Sequence, residues 1–169
     1  MRRFVFFLPL VCFLILGGVF YSQLGKDNQY VPSALVGKKV PNFTLISLEN
    51  DQMVTQKDLP HGPYLMNFWG TWCPACHIEH PFLVELALKG VPIIGIDYKD
   101  QKHLAEQWLI EKGNPYQQVL MDEMGLFGLD MGVTGAPETF VINSSGVIVH
   151  RHQGVVNEQN WPELKGYLK

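Results

Sequence analysis

Hydrophobic and polar positions divide the chain into an N-terminal apolar block and a longer stretch of shorter, alternating patterns. Residues Phe4 to Tyr21 carry no charge, follow Arg2-Arg3 and precede Ser22-Gln23-Leu24-Gly25-Lys26. At about 1.5 Å per residue this 18-residue run rises about 27 Å, close to the hydrocarbon thickness of a bilayer. It reads as one transmembrane helix with its arginines on the cytoplasmic side. A cleaved signal peptide is the alternative, with an apolar stretch of about 7–15 residues and a small-x-small site. The segment Gly17-Gly18-Val19-Phe20-Tyr21-Ser22-Gln23 holds no Ala-x-Ala. Cys12 follows Val11 rather than a small residue and reads as lipid-facing packing, not a lipoprotein site. Gly25 to Pro41 is polar, with Gly37 and two prolines. The expected organisation is therefore an anchor over residues 1–24, a tether and lead-in over 25–40, and one folded domain over 41–169.

Within that domain the period switches repeatedly between two and 3.6. Phe43-Thr44-Leu45-Ile46-Ser47-Leu48 alternates, turns at Glu49-Asn50-Asp51-Gln52 and continues into Met53-Val54-Thr55, predicting a hairpin. Tyr64 to Trp69 predicts a buried strand that runs into Gly70-Thr71-Trp72-Cys73 and a helix from Pro74 to about Lys89. Val91 to Asp97 predicts a second buried strand, and Lys102 to Lys112 a helix stopped by Gly113. A short strand at Val119-Leu120-Met121 and a short helix around Glu123–Met131 follow. Thr139 to Ile142 and Val147 to His150 flank the turn signal Asn143-Ser144-Ser145-Gly146. Asn157 to Lys169 closes the chain as a helix with Trp161 and Leu164 inward. Strands alternating with helices predict an α/β sandwich around a central mixed sheet flanked by helices.

Composition adds exclusions. With 47% hydrophobic and 17% charged residues among 169, the chain builds one core and is not disordered. Thirteen Lys+Arg against 16 Asp+Glu give a net charge of −3, without a basic stripe, so the reading is no nucleic acid as partner. Three cysteines are too few for a stapled scaffold. Cys73 and Cys76, in a body beyond an anchor and hence in an oxidising compartment, point to chemistry instead.

Cys73-Pro74-Ala75-Cys76 opens a predicted helix. The first sulfur then lies near unpaired N–H groups and the positive end of the helix dipole, which favour the thiolate that attacks disulfides. Pro74 suits the first helical position because its missing N–H is no loss there. Cys73 is thus the expected attacking thiol, partly exposed, and Cys76 the more buried resolving thiol. Trp69 and Trp72 would keep bulk water from the pair. A structural disulfide would close a very short loop and add little. A zinc site using His77 or His80 lacks a second ligand pair. Cys73-Pro74-Ala75-Cys76-His77 also matches the C-x-x-C-H pattern of c-type haem attachment, which would make an electron-transfer domain. A thiol peroxidase is a third possibility, although such enzymes place Thr three residues before the reactive cysteine, where this chain has Gly70. The reading adopted is thiol–disulfide exchange with no cofactor and no metal.

Gly132-Val133-Thr134-Gly135-Ala136-Pro137-Glu138-Thr139-Phe140 places a proline just before a strand, so Ala136 is extended and a cis bond at Pro137 is open. The Ala136 backbone is expected to pair with an extended substrate, with Pro137 facing Cys73. Glu138, the charged side chain of this loop, is expected to favour basic or hydrogen-bond-donating partners.

Phe68-Trp69-Gly70-Thr71-Trp72-Cys73-Pro74-Ala75-Cys76 and this proline loop together resemble the thioredoxin fold. Glu79-His80-Pro81, Asn114-Pro115-Tyr116, Gly135-Ala136-Pro137-Glu138-Thr139-Phe140 and the lead-in Pro32 to Lys38 narrow the likeness. The chain resembles the membrane-anchored thiol:disulfide interchange proteins of cytochrome c biogenesis, the CcmG/DsbE family. The resemblance implies a thioredoxin-like domain with an N-terminal β-hairpin extension. It implies a single-pass inner-membrane protein, N-terminus cytoplasmic and catalytic domain periplasmic. The implied role is a reductase that receives electrons from a membrane thiol–disulfide transporter. It keeps the C-x-x-C-H cysteines of apocytochrome c, or a partner thiol protein, reduced for haem attachment. The family commonly has Tyr where this chain has Thr134. Asn67 stands where thioredoxins hold a buried Asp, and an amide cannot move protons near neutral pH. Glu79, three residues after Cys76, is the expected replacement. His77 and His80 are expected on the helix surface, and Pro81 is expected to kink the helix.

Overall fold

The apolar N-terminal block folds as helix α1 (Leu8–Gln23, 16 residues). The computed structural model describes residues 8–23 and 34–168, in two units divided at Val31/Pro32. In the first unit, Leu10, Val11, Phe13, Leu14, Ile15 and Leu16 are exposed, and at about 100° per residue they point all round the helix, so α1 is apolar around its circumference. Among the described residues no helix is long and apolar enough to cross a membrane. Phe4 to Phe7 of the expected span, and the tether before Ala34, lie outside the described residues.

The second unit is one seven-stranded mixed sheet. Its strands are β1 (Thr44–Ser47), β2 (Met53–Thr55), β3 (Tyr64–Trp69), β4 (Ile93–Tyr98), β5 (Gln118–Asp122), β6 (Glu138–Ile142) and β7 (Ile148–Gln153). They lie in the order β2-β1-β5-β4-β3-β6-β7. β3 pairs parallel with β4 and β4 with β5, while the remaining neighbours are antiparallel. Every residue of β3 and β4 is buried, as parallel strands covered on both faces require. The expected hairpins form at β1–β2 and β6–β7. In the second, Asn143 accepts N–H bonds from Ser145 and Val147, and Gly146 supplies the positive φ of 72°.

Among the described residues of this unit four α-helices join the sheet, α2 (Pro74–Leu88), α3 (Lys102–Lys112), α4 (Leu126–Asp130) and α5 (Trp161–Tyr167), with a short 3-10 helix at Gln56–Asp58. Pro81 sits inside α2 without ending it. Two helices are shorter than their patterns predict, because side chains satisfy the flanking backbone first. Asp122 accepts the N–H groups of Phe127 and Gly128 at 3.2 and 2.7 Å, setting the start of α4. Asn157 accepts from Gln159 and Asn160 and holds a turn ahead of α5.

Successive strand residues alternate between the two faces of the sheet. Leu65, Trp69 and Ile93 face a cluster with Leu83 and Leu86 of α2, Trp108 of α3 and Leu164 of α5, and this cluster contains Cys73 and Cys76. Met66, Phe68, Ile94 and Ile96 face the opposite cluster with Val40, Phe43, Phe127 and Phe140. Phe68 is its centre, with ring centroids 5.8 Å from Phe127 and 5.7 Å from Phe140. The lead-in closes this side: Gly37 donates to Ile148 and Val40 to Gly146 through the backbone.

Candidate active site

β3 ends at Trp69 and the chain turns through Gly70–Trp72 into α2, closed by a bond from Cys73 N–H to the Gly70 carbonyl at 3.1 Å. Two contacts dock this turn on the end of β4 and the segment that follows it. The Trp72 indole N–H donates to the Tyr98 carbonyl at 2.9 Å, and Thr71 N–H donates to the Asp100 carboxylate. A Cβ on Gly70 would stand 2.5 Å from the Trp72 indole nitrogen, so glycine is what lets Trp72 lie back on Tyr98.

Cys73 is the N-cap of α2, Pro74 follows in its first turn, and Cys73 Sγ accepts Cys76 N–H at 3.1 Å. The sulfur thus sits on the unpaired donors of a 15-residue helix, where a negative charge is favoured. Cys73 and Cys76 are joined in a disulfide with Cα atoms 5.3 Å apart. Partial exposure was expected at Cys73, but it is 1% exposed and Cys76 2%. The bonded pair belongs to the same packed cluster as Trp69, and Ala75 and Ala136 pack against that cluster. Trp69 is itself stacked on Trp108 and Tyr116, at 4.8 and 5.4 Å between centroids. Trp72 is 51% exposed, so it flanks the site at the surface, where it was expected to cover the pair.

Behind the cysteines is a buried polar network. Asn67 donates from Nδ2 to Glu79 Oε2 at 3.0 Å and to Thr139 Oγ1 at 2.9 Å, and its Oδ1 accepts the Tyr116 hydroxyl at 3.0 Å. Glu79 Oε1 accepts Val156 N–H at 2.7 Å. Glu79 is 1% exposed, one helical turn beyond Cys76. Burial pushes its carboxyl up to about 7, with the Val156 N–H and the Asn67 amide partly opposing. A carboxyl poised near neutrality can hold or release a proton during thiol chemistry. Asn67 has no proton to give, and instead orients the group that has. Tyr116 and Thr139 complete the network; both lie in motifs that carry the family resemblance, but the one physical sign of a shared network is a polar Asn in the middle of an apolar strand.

Both histidines of α2 have fixed tasks. His77 is exposed, with Nε2 3.0 Å from the Thr71 carbonyl oxygen and Nδ1 accepting the Trp108 indole N–H at 3.4 Å. His80 corrects the expected surface position: it is 3% exposed, donates from Nε2 to the Gly113 carbonyl at 2.8 Å and packs on Trp108 at 4.0 Å. Burial favours its neutral form. Among the described residues, no group of three His, Cys, Asp or Glu side chains is arranged to hold a metal ion.

The proline loop carries a cis bond at Ala136-Pro137. Glu138 was expected to present its charge to a groove, and the structure places it elsewhere. It is 2% exposed, and its Oε2 is 2.7 Å from Arg151 Nη2, with Arg151 Nε donating at 2.8 Å. Its Oε1 accepts the Thr134 N–H and hydroxyl and the Gly135 N–H, at 2.8, 2.7 and 3.1 Å. Arg151 also reaches the Gly132 carbonyl at 3.0 Å, and Gln153 donates to Thr134 Oγ1. The carboxylate is consumed inside the fold, where it lashes Gly132–Gly135 to the sheet. Thr134 serves this clamp through a hydroxyl that an aromatic contact would not need.

Comparison with known proteins agrees with this geometry. The Redoxin family profile matches residues 35–168. The thiol:disulfide interchange protein DsbE of Vibrio cholerae is 50% identical over 169 residues, covering 96% of this chain and 92% of the relative. The chain belongs to the DsbE family. The Escherichia coli K12 member is 45% identical over 170 residues, with 96% and 92% covered. Among solved structures, a putative DsbE of Chlorobium tepidum superposes with a TM-score of 0.67 at 22% identity, covering 78% of this chain and 96% of that one. A thio-disulfide isomerase of Thermus thermophilus gives 0.63 at 24% identity, with 74% and 90% covered. These likenesses show a thioredoxin-like fold. As a member of this family the protein is a thiol–disulfide oxidoreductase, and its partners are proteins that carry thiols or disulfides.

Proposed function

We propose that the protein works as a reductase in cytochrome c maturation, anchored in the inner membrane by residues 1–24 and tethered by 25–40. The thioredoxin-like domain then lies in the periplasm. The apolar circumference of α1 and the Arg2-Arg3 pair before it support this placement. A dithiol of a membrane thiol–disulfide transporter supplies the electrons. Apocytochrome c with an oxidised C-x-x-C-H pair, or a partner thiol protein, receives them.

The observation that carries the reading is the disulfide at the N-terminus of α2 with Glu79 buried one turn behind it. In the reduced protein the Cys73 thiolate attacks one sulfur of the substrate disulfide, and the other substrate sulfur leaves as a thiolate and takes a proton. Cys76 then gives its proton to Glu79 and attacks Cys73 Sγ, expelling the second substrate thiolate. Two electrons pass to the substrate and the Cys73–Cys76 disulfide is restored. Asn67 orients Glu79, Pro74 preserves the helix start, and Trp72 offers an exposed ring beside the incoming chain. Ala136, ahead of Pro137, pairs with the substrate backbone by strand addition, and Glu138 holds that loop in place.

The test is a rate comparison. The reduced protein is expected to reduce a disulfide-bonded C-x-x-C-H peptide faster than a length-matched disulfide peptide without the histidine. Equal rates would reject the maturation substrate while leaving the oxidoreductase chemistry intact.

A further inference from the structure

Asp97 is a buried acid that the steps above leave without a task. It lies near the C-terminal end of β4, is 0% exposed, and among the described residues neither carboxyl oxygen has a hydrogen-bond partner. The register sets it opposite Trp69 of β3 and Met121 of β5. Both neighbours belong to the cluster that contains Cys73 and Cys76. Adjacent strands run about 4.8 Å apart, so this carboxyl stands beside Trp69, the last strand residue before the Cys73 turn. That turn is docked on the residues that follow Asp97: Trp72 bonds to the Tyr98 carbonyl and Thr71 to Asp100.

We propose that Asp97 is a positioning residue of the redox centre: as the neutral acid it accommodates the thiolate of reduced Cys73, and as the carboxylate it opposes that thiolate. Every group that bears on it favours the proton. Burial first, and then the negative charges of Asp100 after β4 and Glu123 after β5, push the Asp97 carboxyl up to about 8. Tyr116, ahead of β5, feels both Glu79 and Asp97. From α2 the cluster receives Glu79, the cysteines and His80, whose burial favours its neutral form. Lys99 lies over the Tyr98 ring, which points to the opposite face. At low local dielectric two negative charges repel far more strongly than in water. Linkage is reciprocal, so forming the thiolate tightens the hold of Asp97 on its proton by the same factor.

The consequence is a proton coupled to the electrons. When dithiothreitol closes its own ring and passes two electrons to the disulfide, Cys76 takes one proton and Cys73 remains the thiolate. Where Asp97 has ionised in the oxidised protein, it takes up a second proton in the same reduction. Removing Asp97 removes that uptake.

The experiment equilibrates the full chain with the dithiothreitol couple from pH 6.5 to 9.5, comparing the native protein with Asp97→Asn and Asp97→Ser. At pH 9 both variants are expected to shift the dithiol:disulfide ratio of Cys73/Cys76 about fivefold toward the dithiol, and less than about twofold at pH 6.5. An identical pH dependence in all three proteins would overturn the role of Asp97, as would an offset that is constant across the range. The inference rests on exchange at Cys73 and Cys76 but involves no C-x-x-C-H substrate. A native chain that fails to equilibrate at all would instead remove the exchange chemistry itself.

Discussion

The two faces of one sheet bury acids in opposite ways. On the face opposite the cysteines, Glu138 is met by Arg151 and three donors of the proline loop, and Asp122 by the first N–H groups of α4. Around them the packing is aromatic and aliphatic, centred on Phe68. On the cysteine face, Glu79 has only an amide and one N–H, and Asp97 has no bonded partner among the described residues. Burial pushes these two up to about 7 and about 8. A buried carboxyl must either find partners for its charge or keep its proton. The first solution is structural, and the second leaves a proton available for chemistry.

The largest separation of the faces is expected from Cys73→Ser, which should lower reduction of a peptide disulfide by about 10⁴-fold or more. Its folded stability, measured by urea unfolding of reduced protein, should stay near that of the reduced native chain. Phe68→Ala makes the reverse cut. It should cost about 3–5 kcal/mol in the same unfolding experiment, with little change in exchange rate for the molecules that remain folded. A large rate loss in folded Phe68→Ala would break the division between the faces. Arg151→Met leaves the buried Glu138 carboxylate bonded to Thr134 and Gly135 but without its cation, a loss of about 3–5 kcal/mol. Here the loop anchored by Glu138 links the faces, so the KM for a peptide should rise while alkylation of Cys73 by iodoacetamide keeps its pH profile.

Glu79→Gln sharpens the contrast most finely. Exchange is expected to slow about tenfold to a hundredfold, and the dependence of rate on pH around 7 should flatten. Stability carries its own sign. A carboxyl whose folded value is raised favours the native state below its unfolded value of 4.5, and this contribution disappears as pH rises through about 7. The native chain should therefore lose more stability between pH 5 and pH 8.5 than Glu79→Gln. Parallel stability curves for the two proteins would place Glu79 among the charged, partnered acids instead.

Local patterns made much of this molecule legible. The hairpin of β1 and β2, the buried strand β3, the helix starting at Pro74 and the Cys73/Cys76 pair are all written in residues within a few positions of one another. The site's second layer is not local. Asn67 meets Tyr116 from 49 positions away and Thr139 from 72, and Glu79 meets Val156 from 77. Single-residue reasoning could identify Asn67 as unable to titrate but not find what it orients. The position of Glu138 is hidden for the same reason: its partner Arg151 lies on β7, 13 positions on, and nothing around Glu138 announces a buried cation. On α2 alone His80 has the pattern of a surface residue, and it is Trp108 of α3 that covers it. The order of the sheet also depends on pairings between distant strands, with β1 inserted beside β5.

In the proposed reaction Cys73 at the head of α2 attacks and Cys76, with Glu79 behind it, resolves. Incubating reduced Cys76→Ser protein with a disulfide-bonded C-x-x-C-H peptide and identifying covalent products by mass spectrometry tests it directly. A mixed disulfide is expected to accumulate through Cys73, and none in Cys73→Ser. Trapping through Cys76 in Cys73→Ser, with none in Cys76→Ser, would contradict it.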